Sequence, residues 1–181
     1  MLRKLKESFF SASRKSGSST ERPYPRVAES AWVAPDAVLI GDVEIGENSS
    51  VWPGTVIRAD IGKVKIGENT NIQDNVVIHP NSKDGVSIGD NVTVAHGTVL
   101  DGCDVDDNVM IGINVTALHH TRIKRNSIIG AGSLLPPGTE TKPNSVYSGN
   151  PAEKVRELQE QDREVMKKMA KSYVNLKGEY Q

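Results

Sequence analysis

An aliphatic residue recurs every six positions through the middle of the chain: Val33, Leu39, Ile45, Val51 and Ile57, then Ile66, Ile72 and Ile78, then Ile88, Val94 and Leu100. The series continues through Val105, Ile111, Ala117, Ile123, Ile129 and Leu135. Four positions after many of these stands a small or β-branched residue, among them Ser49, Thr55, Thr70, Val76, Thr98 and Ser127. Turn formers fill the intervals, as in IGENSS, IGENTN and IGDNVT. A helix repeats every 3.6 residues and a half-buried strand every 2.0, so a period of six is neither. It predicts an all-β coil in which each hexad supplies one short strand and one corner, and three hexads close a triangular turn of about 18 residues. Coils of this kind stack by parallel strand hydrogen bonding. A β-sandwich would instead place turns every 8–12 residues or so.

Past the hexads, SGNPAEKVRELQEQDREVMKKMAKSYVNL predicts one amphipathic helix with Asn150 as N-cap, Pro151 at the first helical position and Glu153 two residues further. Its apolar stripe is Val155, Leu158, Val165, Met169, Tyr173 and Leu176. The chain thus divides into a basic N-terminal segment, 1–25, read as a tail or short helix, a coil over 26–149, and a C-terminal helix over 150–177. Residues 1–22 carry six basic and two acidic side chains, with Leu2, Leu5 and Phe9 at helical spacing. That pattern suits a tail, a membrane-surface helix or an organelle-targeting segment.

Composition agrees with a coil. Among 181 residues only 4% are aromatic while 16 are Gly, as expected for a narrow prism lined by Val, Ile and Leu. The net charge of −1 disfavours a nucleic-acid partner. Cys103 is the sole cysteine, which excludes an internal disulfide and fits a reducing compartment. No apolar run is long enough to span a membrane. The expected location is cytoplasmic, or mitochondrial if the basic segment is a targeting signal.

The candidate chemistry lies in four histidines, His79, His96, His119 and His120. His79 follows Ile78 by one position and Asp101 follows Leu100 by one, so both hold the same phase. Allowing for the loop HPNSKDGVS, Asp101 falls one coil beyond His79 on the same edge, within reach of a shared metal at a strand spacing of about 4.8 Å. His96 falls on another edge, about a third of a turn away, where only a neighbouring subunit's copy reaches that metal.

The hexads resemble the left-handed parallel β-helix of the hexapeptide-repeat superfamily over about residues 30–150. The segments VWPGTVIRADIGKVKIGENTNIQDNVVIHP and IGDNVTVAHGTVLDGC are similar to the gamma-class carbonic anhydrases. The resemblance matches Arg58 and Asp60 to that family's Arg-x-Asp, Asn71, Gln73 and Asp74 to its Asn-x-Gln-Asp, and His79 and His96 to two metal-ligating histidines. Asp101 stands where the family has its third histidine, and Leu118-His119-His120 stands where it has Leu-Asp-Gly. Tyr173 and Asn175, in YVN, resemble a segment that faces the site. Two other departures concern proton transfer: Ile61 replaces a Glu, and the loop Asn81–Gly85 is short, with Asp84 its sole acid.

The resemblance implies a homotrimer with sites between subunits and a metalloprotein that reversibly hydrates CO₂ to bicarbonate by a metal-bound hydroxide. Zn²⁺ is the expected metal, with Fe²⁺ or Co²⁺ as alternatives, since two His and one carboxylate suit either zinc or non-haem iron. The implied ligands are His79, His96 and Asp101, with His119 the alternative third. Gln73 and Asn71 would orient the nucleophile, and Arg58 with Asp60 would pair across subunits. The competing readings are an inactive scaffold or bicarbonate-binding subunit and, more remotely, a hexapeptide acyltransferase.

Overall fold

The computed structural model describes residues 24–180. The chain is a left-handed parallel β-helix, the coil that the six-residue period predicts with the hand that the resemblance implies, and a C-terminal helix follows it. Each coil crosses three faces. The first face is an eight-stranded sheet, and the second and third share a ten-stranded sheet because Val38–Ile45 and Val56–Ile66 bend around the corner between them.

Register fixes one residue per strand inward. On the first face Val33, Val51, Ile72, Val94, Ile111, Ile129 and Tyr147 stack coil on coil. On the second, Leu39, Ile57, Ile78, Leu100, Ala117 and Leu135 do so. On the third the column is Val27, Ile45, Ile66, Ile88, Val105 and Ile123. Most of these side chains are fully buried. The small residues four positions on are buried too, and their hydroxyls bond corner carbonyls: Ser49 to Gly67 at 2.7 Å, Thr55 to Gln73 at 2.7 Å and Thr70 to Gly89 at 2.8 Å. A polar atom is thereby buried at each corner with its hydrogen bond made. Cys103 also lies in this core, where burial pushes its thiol up to about 12.

The corners need left-handed backbone, and Asn supplies it in a column from Asn48 through Asn69, Asn91, Asn108 and Asn126 to Asn144. Gly97 serves at another corner, where a Cβ would lie 2.2 Å from Asn114 Oδ1.

The outward side chains make the three faces different. The third face alternates charge along its rungs: Arg26, Glu44, Lys65, Ser87, Asp104, Arg122 and Glu140. The second presents an aliphatic column of Val38, Val56, Val77 and Val99, with Val38 and Val77 about two-fifths exposed at 43% and 38%. The first is covered by the helix, which contacts Asn71–Ile72 and Thr93–Val94.

The C-terminal segment departs from expectation. Asn150 and Pro151 do not start a helix; they form the turn of an antiparallel hairpin between Ser145–Gly149 and Ala152–Glu157. The last rung of the first face would otherwise leave its N–H and C=O groups unpaired at an open edge, and the returning strand satisfies them. Helix α1 runs from Glu160 to Leu176, 17 residues, with Gln159 as N-cap and Asp162 completing the capping box. Its buried residues are Met166 and Ala170, whereas Val155 and Val165 of the expected stripe are exposed. Asp162 also forks onto the Arg156 guanidinium at 2.5 and 3.0 Å. Arg156 and the Gln159 amide together hold its carboxyl down at about 2. Beyond the helix, Lys177 donates to the Ser30 carbonyl, and Tyr180 packs against Trp32 and Trp52, tying the end of the chain to the first coils.

Ile78→Ala is expected to cost about 2–5 kcal/mol, because the columns on either side cannot collapse into the hole; denaturant unfolding followed by circular dichroism measures it. Asp162→Ala is expected to cost about 1 kcal/mol at neutral pH through the lost cap. The depressed carboxyl stabilises the fold above the unfolded value of about 4, and the contribution is lost as pH falls through the folded value. The gap between Asp162→Ala and the parent protein therefore closes on acidification, which unfolding curves taken across that range would show.

Candidate metal centre

Two clusters stand at the two edges of the second face. At its far edge Arg58 Nη1 donates to Asp60 Oδ2 at 2.5 Å, and Asp60 Oδ1 lies 3.1 Å from His79 Nε2. Asp101 is the register partner of His79 on the next coil, and its Oδ1 lies 3.4 Å from His79 Nδ1. The Arg58 hydrogen bond, with a smaller contribution from His79, holds the Asp60 carboxyl below its ordinary value. Both ring nitrogens of His79 thus face a carboxylate oxygen.

At the near edge the corner residues Asp74, His96 and Ile113 stack on successive coils, as the bonds from Gly97 N to Asp74 O and from Asn114 N to His96 O show. Asp74 Oδ2 lies 2.9 Å from His96 Nδ1. A carboxylate on one ring nitrogen fixes the tautomer and leaves Nε2 as the ligand atom, the usual arrangement behind a metal-bound histidine. Beside it, Gln73 Nε2 donates to Asn71 Oδ1 at 3.0 Å, and Asn71 Nδ2 donates to Thr93 Oγ1 at 2.9 Å. All three residues are buried. Trp52 sits one coil below Gln73 and meets the Tyr173 ring edge-on at 5.3 Å. Burial, and next the charge of Asp74, push the Tyr173 phenol up. Asn175 is exposed.

The remaining candidates fall elsewhere. Leu100 to Val105 spans one residue fewer than Ala117 to Ile123, although both pairs are in register with their neighbours. Leu118 therefore follows Ala117 as Asp101 follows Leu100, and His119 lies one residue further round the corner, its ring 5.3 Å from that of His120. Asp84 accepts from Ser82 and lines a small polar cleft with Asp104, His120 and Arg122 on the third-face side. Ile61 is half exposed, next to Asp60. Thr93 and Trp52 were not marked by the hexad pattern; Thr93 is identified by its register with Asn71.

Among the described residues of one chain, no three His, Cys, Asp or Glu side chains are grouped so as to hold a metal ion. Two imidazoles and a carboxylate are donors of a chemistry that suits a divalent metal. His96 carries its orienting carboxylate, and His79 and Asp101 sit on adjacent rungs.

A family model described as dynactin subunit 5 matches residues 20–177. The chain is 39% identical over 159 residues to gamma carbonic anhydrase 2, mitochondrial, of Arabidopsis thaliana, covering 84% of this chain but only 57% of that protein's length. It is 43% identical over 150 residues to a protein of Methanocaldococcus jannaschii named "Probable carbonic anhydrase", covering 83% of this chain and 94% of the other. A solved structure of a hexapeptide transferase family protein from Anaplasma phagocytophilum superposes with a TM-score of 0.83 at 36% identity, covering 87% of this chain and 93% of that one. By these matches the chain belongs to the family of the gamma-class carbonic anhydrases and dynactin subunit 5.

Proposed function

We propose that this protein is a homotrimeric, metal-dependent carbonic anhydrase that interconverts CO₂ and water with bicarbonate and a proton. The observation that carries the reading is the pairing of two half-sites on the edges of one apolar face. His79 and Asp101 stand in register on one edge, and His96, oriented by Asp74, stands on the other. Between them runs the Val38–Val56–Val77–Val99 column, exposed at Val38 and Val77 and half-buried at Val56 and Val99, an apolar strip suited to burial against another subunit. Joining three copies through this face sets each His79–Asp101 edge beside a neighbour's His96.

His79 and Asp101 of one subunit and His96 of the next would hold Zn²⁺, or alternatively Fe²⁺ or Co²⁺. When bound, such an ion supplies Lewis acidity that makes water nucleophilic near neutral pH. The protein's own side chains do the rest. Gln73, fixed by Asn71, holds the attacking water or hydroxide, and Trp52 and Tyr173 wall the same edge. Arg58 and Asp60 stand at the subunit contact and position His79. The names of the M. jannaschii and A. thaliana relatives support the activity. Three of the A. thaliana relatives are named as mitochondrial, which supports the mitochondrial reading of the basic segment; that segment lies almost wholly outside the described residues.

A scaffold reading has its own support. Asp60 and Asp101 flank both ring nitrogens of His79, and the matching family model is described as a dynactin subunit. Stopped-flow CO₂ hydration with Zn²⁺, Co²⁺ or Fe²⁺ separates the two. Rates above buffer with at least one metal are expected, and no rate with any of them would leave the scaffold reading. Asp101→His is expected to tighten metal binding about tenfold, measured by calorimetry, because imidazole reaches further from its Cα than carboxylate. Val77→Glu combined with Val99→Glu is expected to give a folded monomer by light scattering, with hydration abolished. A folded trimer in that variant would move the interface off the second face.

A further inference from the structure

Helix α1 does not lie flush on the coil. Between it and the asparagine corner that joins the third face to the first runs a groove of about 580 Å³, inside the roughly 300–1,000 Å³ of ligand-binding clefts. One wall is the column Asn69, Asn91, Asn108 and Asn126, and the other is the helix from Arg163 to Val174. This corner holds none of the candidate metal ligands. Asn126 Nδ2 donates to Asn144 Oδ1 at 3.1 Å, whereas the side-chain amides of Asn69, Asn91 and Asn108 make no hydrogen bond to the described residues and are open to solvent. The charged residues lining the groove are Arg163, Lys167 and Lys171, with no acid among them. Arg163 is tied to Asn144 Oδ1 at 2.9 Å and to Glu160, but neither lysine is paired with a carboxylate of the described residues. The acids beside the asparagines in sequence are turned onto the backbone: Asp90 Oδ1 accepts from the Glu68 N–H at 2.7 Å, and Asp107 Oδ1 from the Asp90 N–H at 2.9 Å.

We infer that this groove docks an extended acidic segment of a partner protein, one with carboxylates at alternate positions. Two spacings fit such a segment. Lys167 and Lys171 stand four residues apart on the helix, about 6 Å along its axis, and alternate side chains of an extended chain stand about 6.6–6.8 Å apart. Asn69 to Asn126 spans three rung spacings, about 14 Å, the length of four extended residues. The two carboxylates meet the two ammonium groups. The peptide N–H and C=O groups between them meet the corner amides, each of which carries both a donor and an acceptor. Buried Met166 and Ala170 supply an apolar part of the wall beside the lysines. The basic residues 1–22 share the sign of the groove and are disfavoured as its occupant. Docking here is independent of CO₂ hydration, since the groove shares no residue with the candidate metal centre.

The test measures fluorescence anisotropy of two labelled peptides with the full-length protein at low salt, where exposed ion pairs are least screened. One peptide is Gly-Ser-Asp-Ser-Asp-Ser-Gly, with alternate carboxylates, and the other is Gly-Ser-Ser-Asp-Asp-Ser-Gly, of the same composition with adjacent ones. The alternating peptide is expected to bind about tenfold more tightly. Lys167→Ala combined with Lys171→Ala should abolish that preference and weaken the alternating peptide about tenfold, while alanine preserves the helix. Asn91→Gly combined with Asn108→Gly keeps a left-handed corner, removes both amides and should weaken binding about fivefold. Equal affinity for the two peptides, or unchanged binding in the folded lysine variant, would overturn the inference. Displacement of the peptide by an equal concentration of inorganic phosphate would also overturn it, as the groove would then take a small anion. If the lysine variant fails to fold by circular dichroism, a peptide with Lys in place of both Asp is used on the parent protein. No binding of that peptide is expected, and binding as tight as that of the alternating acidic peptide would sink the proposal.

Discussion

Everything in this molecule depends on the parallel hydrogen-bond register between successive coils. Most strands are only two or three residues long, too short to be stable alone, and gain their partners from the coils below and above. Register then decides which residue points inward, and an error of one would put every Ile and Val of a strand outside. The six-residue period is the chemical record of that constraint. It also explains why corners are so conservative in type: Asn or Gly with a left-handed backbone lets the chain turn without shifting the next rung.

Because the core is used up by inward positions, the outward positions are free to differ from face to face. Alternating charge on the third face suits solvent, since neighbours of opposite sign attract and the surface offers no apolar strip. The first face is taken by helix α1, which the aromatic cluster of Trp32, Trp52, Tyr173 and Tyr180 clamps down. That leaves the second face, apolar and covered by none of the described residues, with candidate ligands on both of its edges. Among the described residues of one chain, those edges do not bring three candidate ligands together.

The inward columns were legible because six-residue periodicity is a local property of the sequence. So was the register of Asp101 with His79, which needs only a count of residues between two inward aliphatics and an allowance for the loop. The start of the helix was not legible. Asn150, Pro151 and Glu153 satisfy the local rules for an N-terminus, yet the open edge of the first-face sheet drew these residues into a hairpin. The contribution of Thr93 was hidden for a similar reason, since its partner Asn71 is 22 residues away and only the sheet register brings them together. His119 shows the limit of counting: one residue more in its corner moves it out of the column in which Asp101 and Leu118 stand.

The positions at which this chain differs from the gamma-class pattern are not scattered. Ile61, the short loop Asn81–Gly85, Asp101 and Leu118–His120 all lie at the corner between the second and third faces, whereas Asn71, Gln73, Asp74 and His96 at the opposite corner match throughout. None of the altered side chains is part of the inward columns, so the changes cost the fold little. One corner therefore matches the gamma-class pattern residue for residue, and the departures gather at the other. The matching corner holds a buried, hydrogen-bonded Thr93–Asn71–Gln73 chain beside the more exposed Asp74–His96 pair. The asymmetry places an acidic side chain, Asp101, where the gamma-class pattern has a neutral imidazole, and so sets His79 between two carboxylates, those of Asp60 and Asp101.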